Sequence, residues 1–301
     1  MNEPGAGDTR GAMHRLFDMR PAAATMVAMI AALVWVVACE TNPYTGRSQL
    51  LMMPVSQELE MGAQAYAQVK SDPKVKVSLD SREVEPVKRV ALRVIEAAKQ
   101  SKYADVAKQF NWEVVVLKED RTLNAFALPG GKIAVYTGIF PVAKTEAGLA
   151  AVLGHEVVHA LARHGAERMS QNMMAQGALQ AANVALGVSG VNPLLSQGAM
   201  AALGAGAQVG VLLPFSRAHE SEADYIGLLL AAQAGYDPRE AVHLWERMEQ
   251  LSGGAQSEFL STHPSHGTRI SQLQKWMPEA LSLYRPEPGM KAADLPSLSP
   301  R

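Results

Sequence analysis

His155-Glu156-Val157-Val158-His159 decides the reading of this chain. It is an HExxH pattern inside a segment, Thr145 to Arg168, whose apolar spacing predicts one helix. On a helix, positions i and i+4 lie on nearly the same face, offset by about 40° and one turn. The two imidazoles therefore converge on a point where a zinc ion can sit, and Glu156 projects beside that face as a general base for water. The flanking residues Leu149, Val152, Leu153, Val157, Val158 and Leu161 make the helix apolar on most sides, so it is expected to be buried. Buried histidines and a glutamate need partners, and a metal meets that need better than a hydrogen-bonded pair of core histidines.

Two histidines leave a tetrahedral zinc one protein ligand short of a catalytic site. Position 162 is Ala and position 165 is Gly, so the longer HExxHxxGxxH pattern is absent. His164 points to another face and is expected at the surface or at a helix end. The better candidate lies in Ser216-Arg217-Ala218-His219-Glu220-Ser221-Glu222-Ala223-Asp224, which opens a helix continuing to Ala234. Glu220 and Asp224 share a face, whereas Glu222 is rotated from Glu220 by roughly 200°. Glu220 is therefore the expected metal ligand. Asp224, one turn behind, can accept a hydrogen bond from a ligand histidine and fix its tautomer. Glu222 is expected to face away and pair with Arg217.

The 301 residues, 48% hydrophobic and 19% charged with a net charge of −1, fit one large domain or two small ones and carry no signature of nucleic-acid binding. The first 38 residues look separate. A basic stretch (Arg10, His14, Arg15, Arg20) precedes an apolar run from Pro21 to Ala38, as in a secretory signal. The run ends at Cys39, the only cysteine, in a setting that resembles a bacterial lipobox. That resemblance implies cleavage after Ala38, lipidation of Cys39 and a membrane contact through the lipid. With Glu40 next, it implies the periplasmic face of a Gram-negative outer membrane, the alternative being an inner-membrane anchor with a periplasmic domain. Without a second cysteine the chain forms no internal disulfide.

Residues 39–55 read as a lead-in, with a loop from Thr41 to Met53 built on Asn42-Pro43-Tyr44-Thr45-Gly46-Arg47. Residues 56–285 read as the folded domain and 286–301 as a proline-rich flexible tail. Ser56 is placed to cap a helix to about Val69. Val87, Val90, Ala91 and Val94 mark a second helix over Glu83 to Lys99. Trp112 to Leu117, Leu123 to Leu128 and Lys132 to Thr137 are strand candidates, the last two joined by Pro129-Gly130-Gly131. Helices then dominate, and the Ala- and Gly-rich stretch from Met173 to Leu213 reads as a helical hairpin or mobile flap.

The HExxH helix, the ExEAD segment Glu220 to Asp224, and Thr262-His263-Pro264 followed by Arg269-Ile270 together resemble a gluzincin-like zinc metallopeptidase family. That family includes CAAX prenyl endopeptidases, the heat-shock membrane protease, the mitochondrial quality-control protease and periplasmic proteases of outer-membrane assembly. Cys39-x-Thr41-Asn42-Pro43-x-Thr45-Gly46-Arg47 resembles the start of its lipoprotein members. The resemblance implies an α+β, mainly helical zincin-like fold whose small sheet exposes an edge strand. It implies one Zn2+ held by His155, His159 and Glu220, with Glu156 as general base. Asn124, Ala125, Phe126 and Ala127 correspond to the family's edge strand, which can pair with an extended substrate backbone. His263 corresponds to a histidine near the metal that either aids catalysis or occludes the site, Arg269 to a residue anchoring its loop. His243 and His266 are expected to be structural or at the surface. The expected function is cleavage of unfolded or misassembled cell-envelope proteins; the alternative is a non-proteolytic, chaperone-like binding factor with a structural zinc.

Overall fold

The computed structural model describes residues 39–188, 213–252, 263, 268–286 and 293–297. The first of these form a hairpin, not the expected loop: β1 (Cys39–Thr41) pairs antiparallel with β2 (Ser48–Leu50). Asn42 closes the turn, its Oδ1 accepting from the amides of Tyr44 and Thr45, and Gly46 takes the positive φ of 72° that reversal requires.

Helix α1 (Val55–Ser71) starts one residue before the expected Ser56 cap. Pro54 stands at the cap position and offers its carbonyl to the amides of Gln57 and Glu58, so no side chain is needed there. Helix α2 (Ser81–Lys99) begins earlier than its apolar spacing implies, because Asp80 accepts a bond from the Arg82 amide. Its Val87, Val90, Ala91 and Val94 are fully buried, as the spacing predicts. Short helix α3 (Ala104–Gln109) leads into the sheet.

The three-stranded sheet has the order β3–β5–β4, with β3 (Glu113–Leu117) parallel and β4 (Ala125–Leu128) antiparallel to the central β5 (Lys132–Tyr136). Its two edges differ. Beside β3, Val77 bridges Leu117, and the Ser78 amide donates to the Val116 carbonyl. Beside β4 no further strand pairs among the described residues, which leaves the expected edge open.

After α4 (Phe140–Ala143) comes the HExxH helix α5 (Glu146–Leu161), capped by Thr145 through the Gly148 amide. Leu149, Leu153 and Leu161 of α5 are at most 1% exposed, and each such leucine contributes roughly 1.5–3 kcal/mol by burial. The helix does not continue to Arg168. Arg163 adopts a φ of 55°, and the chain restarts as α6 (His164–Val188). The break is held from outside α5: the Arg163 guanidinium donates to Glu58 of α1, to Glu40 of β1 and to the Met53 carbonyl. Those partners lie far off in sequence, so periodicity alone runs through the break.

Helices α7 (Leu213–Gln233), α8 (Arg239–Ser252) and α9 (Arg269–Leu283) complete the fold. Within the Met173–Leu213 segment, residues 189–212 lie outside the described residues, as do the first 38 residues, Thr262, Pro264 and His266. No helix among the described residues is long and apolar enough to cross a membrane. The tail is not wholly free of the fold: Asp294 bridges Thr145, the Ala293 carbonyl accepts from Glu146, and Leu295 is buried. These contacts engage the backbone at the start of α5, where the first turn leaves amides unpaired. The result is the expected mainly helical α+β zincin-like architecture.

Candidate metal centre

The centre is built where α5 crosses α7. A Cβ on Gly154 would lie 2.6 Å from the Gly227 carbonyl oxygen, and one on Gly227 would lie 2.7 Å from the His155 amide nitrogen. Only glycine permits this approach, which sets the expected carboxylates of α7 against the histidines of α5.

Four side chains converge. His155 Nε2 lies 3.1 Å from His159 Nε2, 3.3 Å from Glu220 Oε2 and 3.2 Å from Nδ1 of His263. Glu220 Oε1 lies 3.4 Å from His159 Nε2 and 3.1 Å from His263 Nδ1. One ligand atom from each residue falls within 4.8 Å of the others. Tetrahedral zinc bonds of 2.0–2.1 Å require ligand atoms about 3.3–3.4 Å apart, so the donor set fits zinc. Its chemistry agrees, since lone-pair nitrogens and a carboxylate buried this close need a shared cation. The sequence gives His155, His159 and Glu220; His263 stands as a fourth.

The supports differ for the two helix histidines. His155 Nδ1 donates to Asp224 Oδ1 at 2.9 Å, which leaves Nε2 with its lone pair toward the centre. Asp224 is held in turn by Arg269, with Nε 2.5 Å from Oδ2 and Nη2 2.6 Å from Oδ1. The Arg269 guanidinium also lies over the Trp245 ring, 3.5 Å from its centroid. Asp224 thus contacts His155, and Arg269 forms an ion pair with Asp224.

On the other side the structure refines one expectation and corrects another. His164 stands at a helix end, opening α6, but it is buried rather than at the surface, with Nδ1 3.1 Å from Nδ1 of His159 and Nε2 3.1 Å from Glu222 Oε2. Glu222 does point away from Glu220, but into the protein, where it accepts from Arg47 and Thr45 rather than from Arg217. Glu167 joins this cluster, bonded by Arg47, Gln49 and His219. A helix projected in isolation shows direction but not the hairpin that packs there. The run Ser216–Glu222, polar at every position but Ala218 and leading into a mostly apolar helix, was the available signal.

Electrostatics follow from burial against bonding. Burial lowers His155, but its bonds to Asp224 and Glu220 outweigh this and carry it up to about 9. Burial keeps His159 well below its usual value. Glu220 is raised by burial yet held far below the carboxylate range by bonds from three histidines. Glu156 is 2% exposed, burial pushes its carboxyl up, and its Oε1 has no hydrogen-bond partner among the described residues. That oxygen lies 3.5 Å from His263 Nε2.

A cleft of about 190 Å³ runs past Glu156, His159 and His263 beneath Phe126, Ala127 and Pro129. The Tyr136 amide donates to the Asn124 carbonyl, so the antiparallel alternation turns the backbone groups of Ala125 and Ala127 away from β5. Asn124 and Ala125 are buried, and the Asn124 side chain accepts from the Ala125 amide instead of lining the cleft. Cys39 is an exposed free thiol at the start of β1, and His243 is on the surface beside Glu240.

The sequence model of peptidase family M48 matches residues 81–277. Mitochondrial metalloendopeptidase OMA1 of Schizosaccharomyces pombe is 43% identical over 196 residues, covering 64% of this chain and 53% of that protein. The mitochondrial metalloendopeptidase OMA1 of Danio rerio is 35% identical over 289 residues, covering 93% and 58%. The putative beta-barrel assembly-enhancing protease of Vibrio cholerae is 31% identical over 172 residues, covering 56% and 34%. The chain thus spans about half the length of the mitochondrial relatives it matches. These relatives correct the expected periplasmic placement as a membrane lipoprotein, because the matches covering most of the chain carry mitochondrial names.

Proposed function

The chain belongs to peptidase family M48, and from that membership we propose that it acts as a zinc-dependent metalloendopeptidase on unfolded or misassembled polypeptide. The observation that carries the reading is the spacing of His155, His159 and Glu220 beside a buried Glu156 whose Oε1 has no hydrogen-bond partner among the described residues. A zinc ion held there supplies Lewis acidity to a scissile carbonyl. Glu156 accepts the proton of the attacking water and returns it to the leaving amine; burial, by raising its pKa, brings it closer to the proton-transfer range. The open side of β4 takes the substrate as an added strand through the backbone of Ala127, with Phe126 flanking it. Backbone reading of this kind suits extended, unfolded segments of varied sequence.

A link to protein assembly draws support from the name of the Vibrio cholerae relative, a putative beta-barrel assembly-enhancing protease, and a mitochondrial setting from the names of the OMA1 relatives. His263 occupies the corner that a substrate oxygen needs, so the site is closed until His263 withdraws. The same closure favours one rival reading, a binding factor with a four-ligand structural zinc. Zinc analysis with casein digestion separates them. The peptidase reading expects one zinc per chain and cleavage that stops on chelation and returns with zinc. Zinc-dependent folding with no cleavage, even after His263→Ala, would leave the rival.

A further inference from the structure

Each helix histidine of the centre is backed by a line of hydrogen bonds that ends on an arginine. For His155 the line is short, through Asp224 to Arg269. For His159 it runs through His164 and Glu222 to Arg47, a residue of the N-terminal hairpin that lies outside the family match. We infer that Arg47 is a positioning residue for the metal centre, acting through Glu222 and His164 to set the tautomer of His159.

The bonding order fixes the protons. Glu222 already accepts from Arg47 and Thr45 and stands as an acceptor here too, so His164 donates from Nε2 and keeps a lone pair on Nδ1. That lone pair accepts from His159 Nδ1, which leaves His159 Nε2 free to bind zinc. Everything in this line depends on Glu222 being held in place against His164. Its side chain is 5% exposed and that of Glu167 is 1% exposed, and one guanidinium serves both. Nη1 and Nη2 of Arg47 donate to the two oxygens of Glu167 at 2.6 and 2.8 Å, while Nε and Nη2 donate to Glu222, both at 2.9 Å. Only a planar fork spans two carboxylates in this way; an ammonium acts as a point donor. Thr45 adds a hydroxyl to Glu222 and Gln49 an amide to Glu167, so the hairpin delivers the whole set. A hairpin serving only to pack its chain would not have to reach the support of a ligand.

The inference rests on His159 as a zinc ligand, and wild-type zinc binding is therefore measured first; its absence would refute the functional reading rather than this one. Zinc affinity is then compared by chelator competition for wild type, Arg47→Ala, Arg47→Lys and Arg89→Ala. The last removes a half-exposed ion pair to buried Glu146, away from the centre. Imidazole nitrogen shifts of His164 report its tautomer. Arg47→Ala is expected to weaken zinc binding roughly 10–100-fold and to mix the tautomers of His164, Arg47→Lys to weaken it less, and Arg89→Ala to leave both unchanged. Wild-type affinity in folded Arg47→Ala overturns the inference, as does an equal loss in Arg89→Ala. Should Arg47→Ala fail to fold, Arg47→Lys decides alone: wild-type affinity there overturns it.

Discussion

Gly154 and Gly227 meet backbone to backbone, and that meeting puts Glu220 within 3.4 Å of both helix histidines. Overpacking costs typically about 1–3 kcal/mol, and more where backbone rather than a side chain must yield. Gly227→Ala is therefore expected to lower the melting temperature and weaken zinc binding together, because the added methyl parts α5 from α7. Thermal unfolding with and without zinc checks this; an unchanged melting temperature and affinity would show that the crossing is not tight.

Asp224→Asn keeps the shape of the support under His155 but removes the charge that pairs with Arg269. Zinc affinity is expected to fall about 10–100-fold with the fold retained. Chelator competition beside a circular dichroism spectrum reads both. Wild-type affinity would mean that His155 needs no carboxylate behind it.

His263→Ala removes the residue at the fourth corner without touching the other three. Casein cleavage is expected to rise, because the closed state loses its plug. A fall would assign His263 a part in the chemistry instead.

Acid stability carries a signed prediction. Burial raises the Glu167 carboxyl, but bonds from Arg47, His219 and Gln49 win and hold it well below its ordinary 4.5. A depressed carboxylate contributes stability that is full above that ordinary value and is lost as pH falls below it toward the lower folded value. Denaturant midpoints are thus expected to drop from pH 5 downward, and Glu167→Gln is expected to flatten that slope while lowering stability at neutral pH. A slope unchanged by the substitution would contradict the assignment.

How much of this was legible in the sequence depends on how far each partner lies along the chain. The α5 pattern, the shared face of Glu220 and Asp224, and the buried row Val87, Val90, Ala91 and Val94 repeat at helical spacing, so local periodicity shows them. The break at Arg163 and the burial of His164 depend on Glu58, Glu40 and Glu222, which no window around residue 163 contains. Glu222 is the instructive case. Its direction was readable from helical phase, but what it meets, Arg47, comes from a hairpin that turn residues alone present as a loop. The compartment was misread for another reason. The features around Cys39 report a local pattern, whereas the match to mitochondrial relatives runs through the folded domain.

The central claim, that this centre hydrolyses peptide bonds with Glu156 as the base, is tested most directly by Glu156→Gln. The amide is nearly isosteric but cannot take a proton, and Glu156 is not among the four residues that converge as donors. Casein digestion and zinc content are measured together on the wild type and the variant. One zinc per chain in both, with cleavage lost only in the variant, is the predicted result. Cleavage at the wild-type rate by a zinc-loaded Glu156→Gln protein would contradict it.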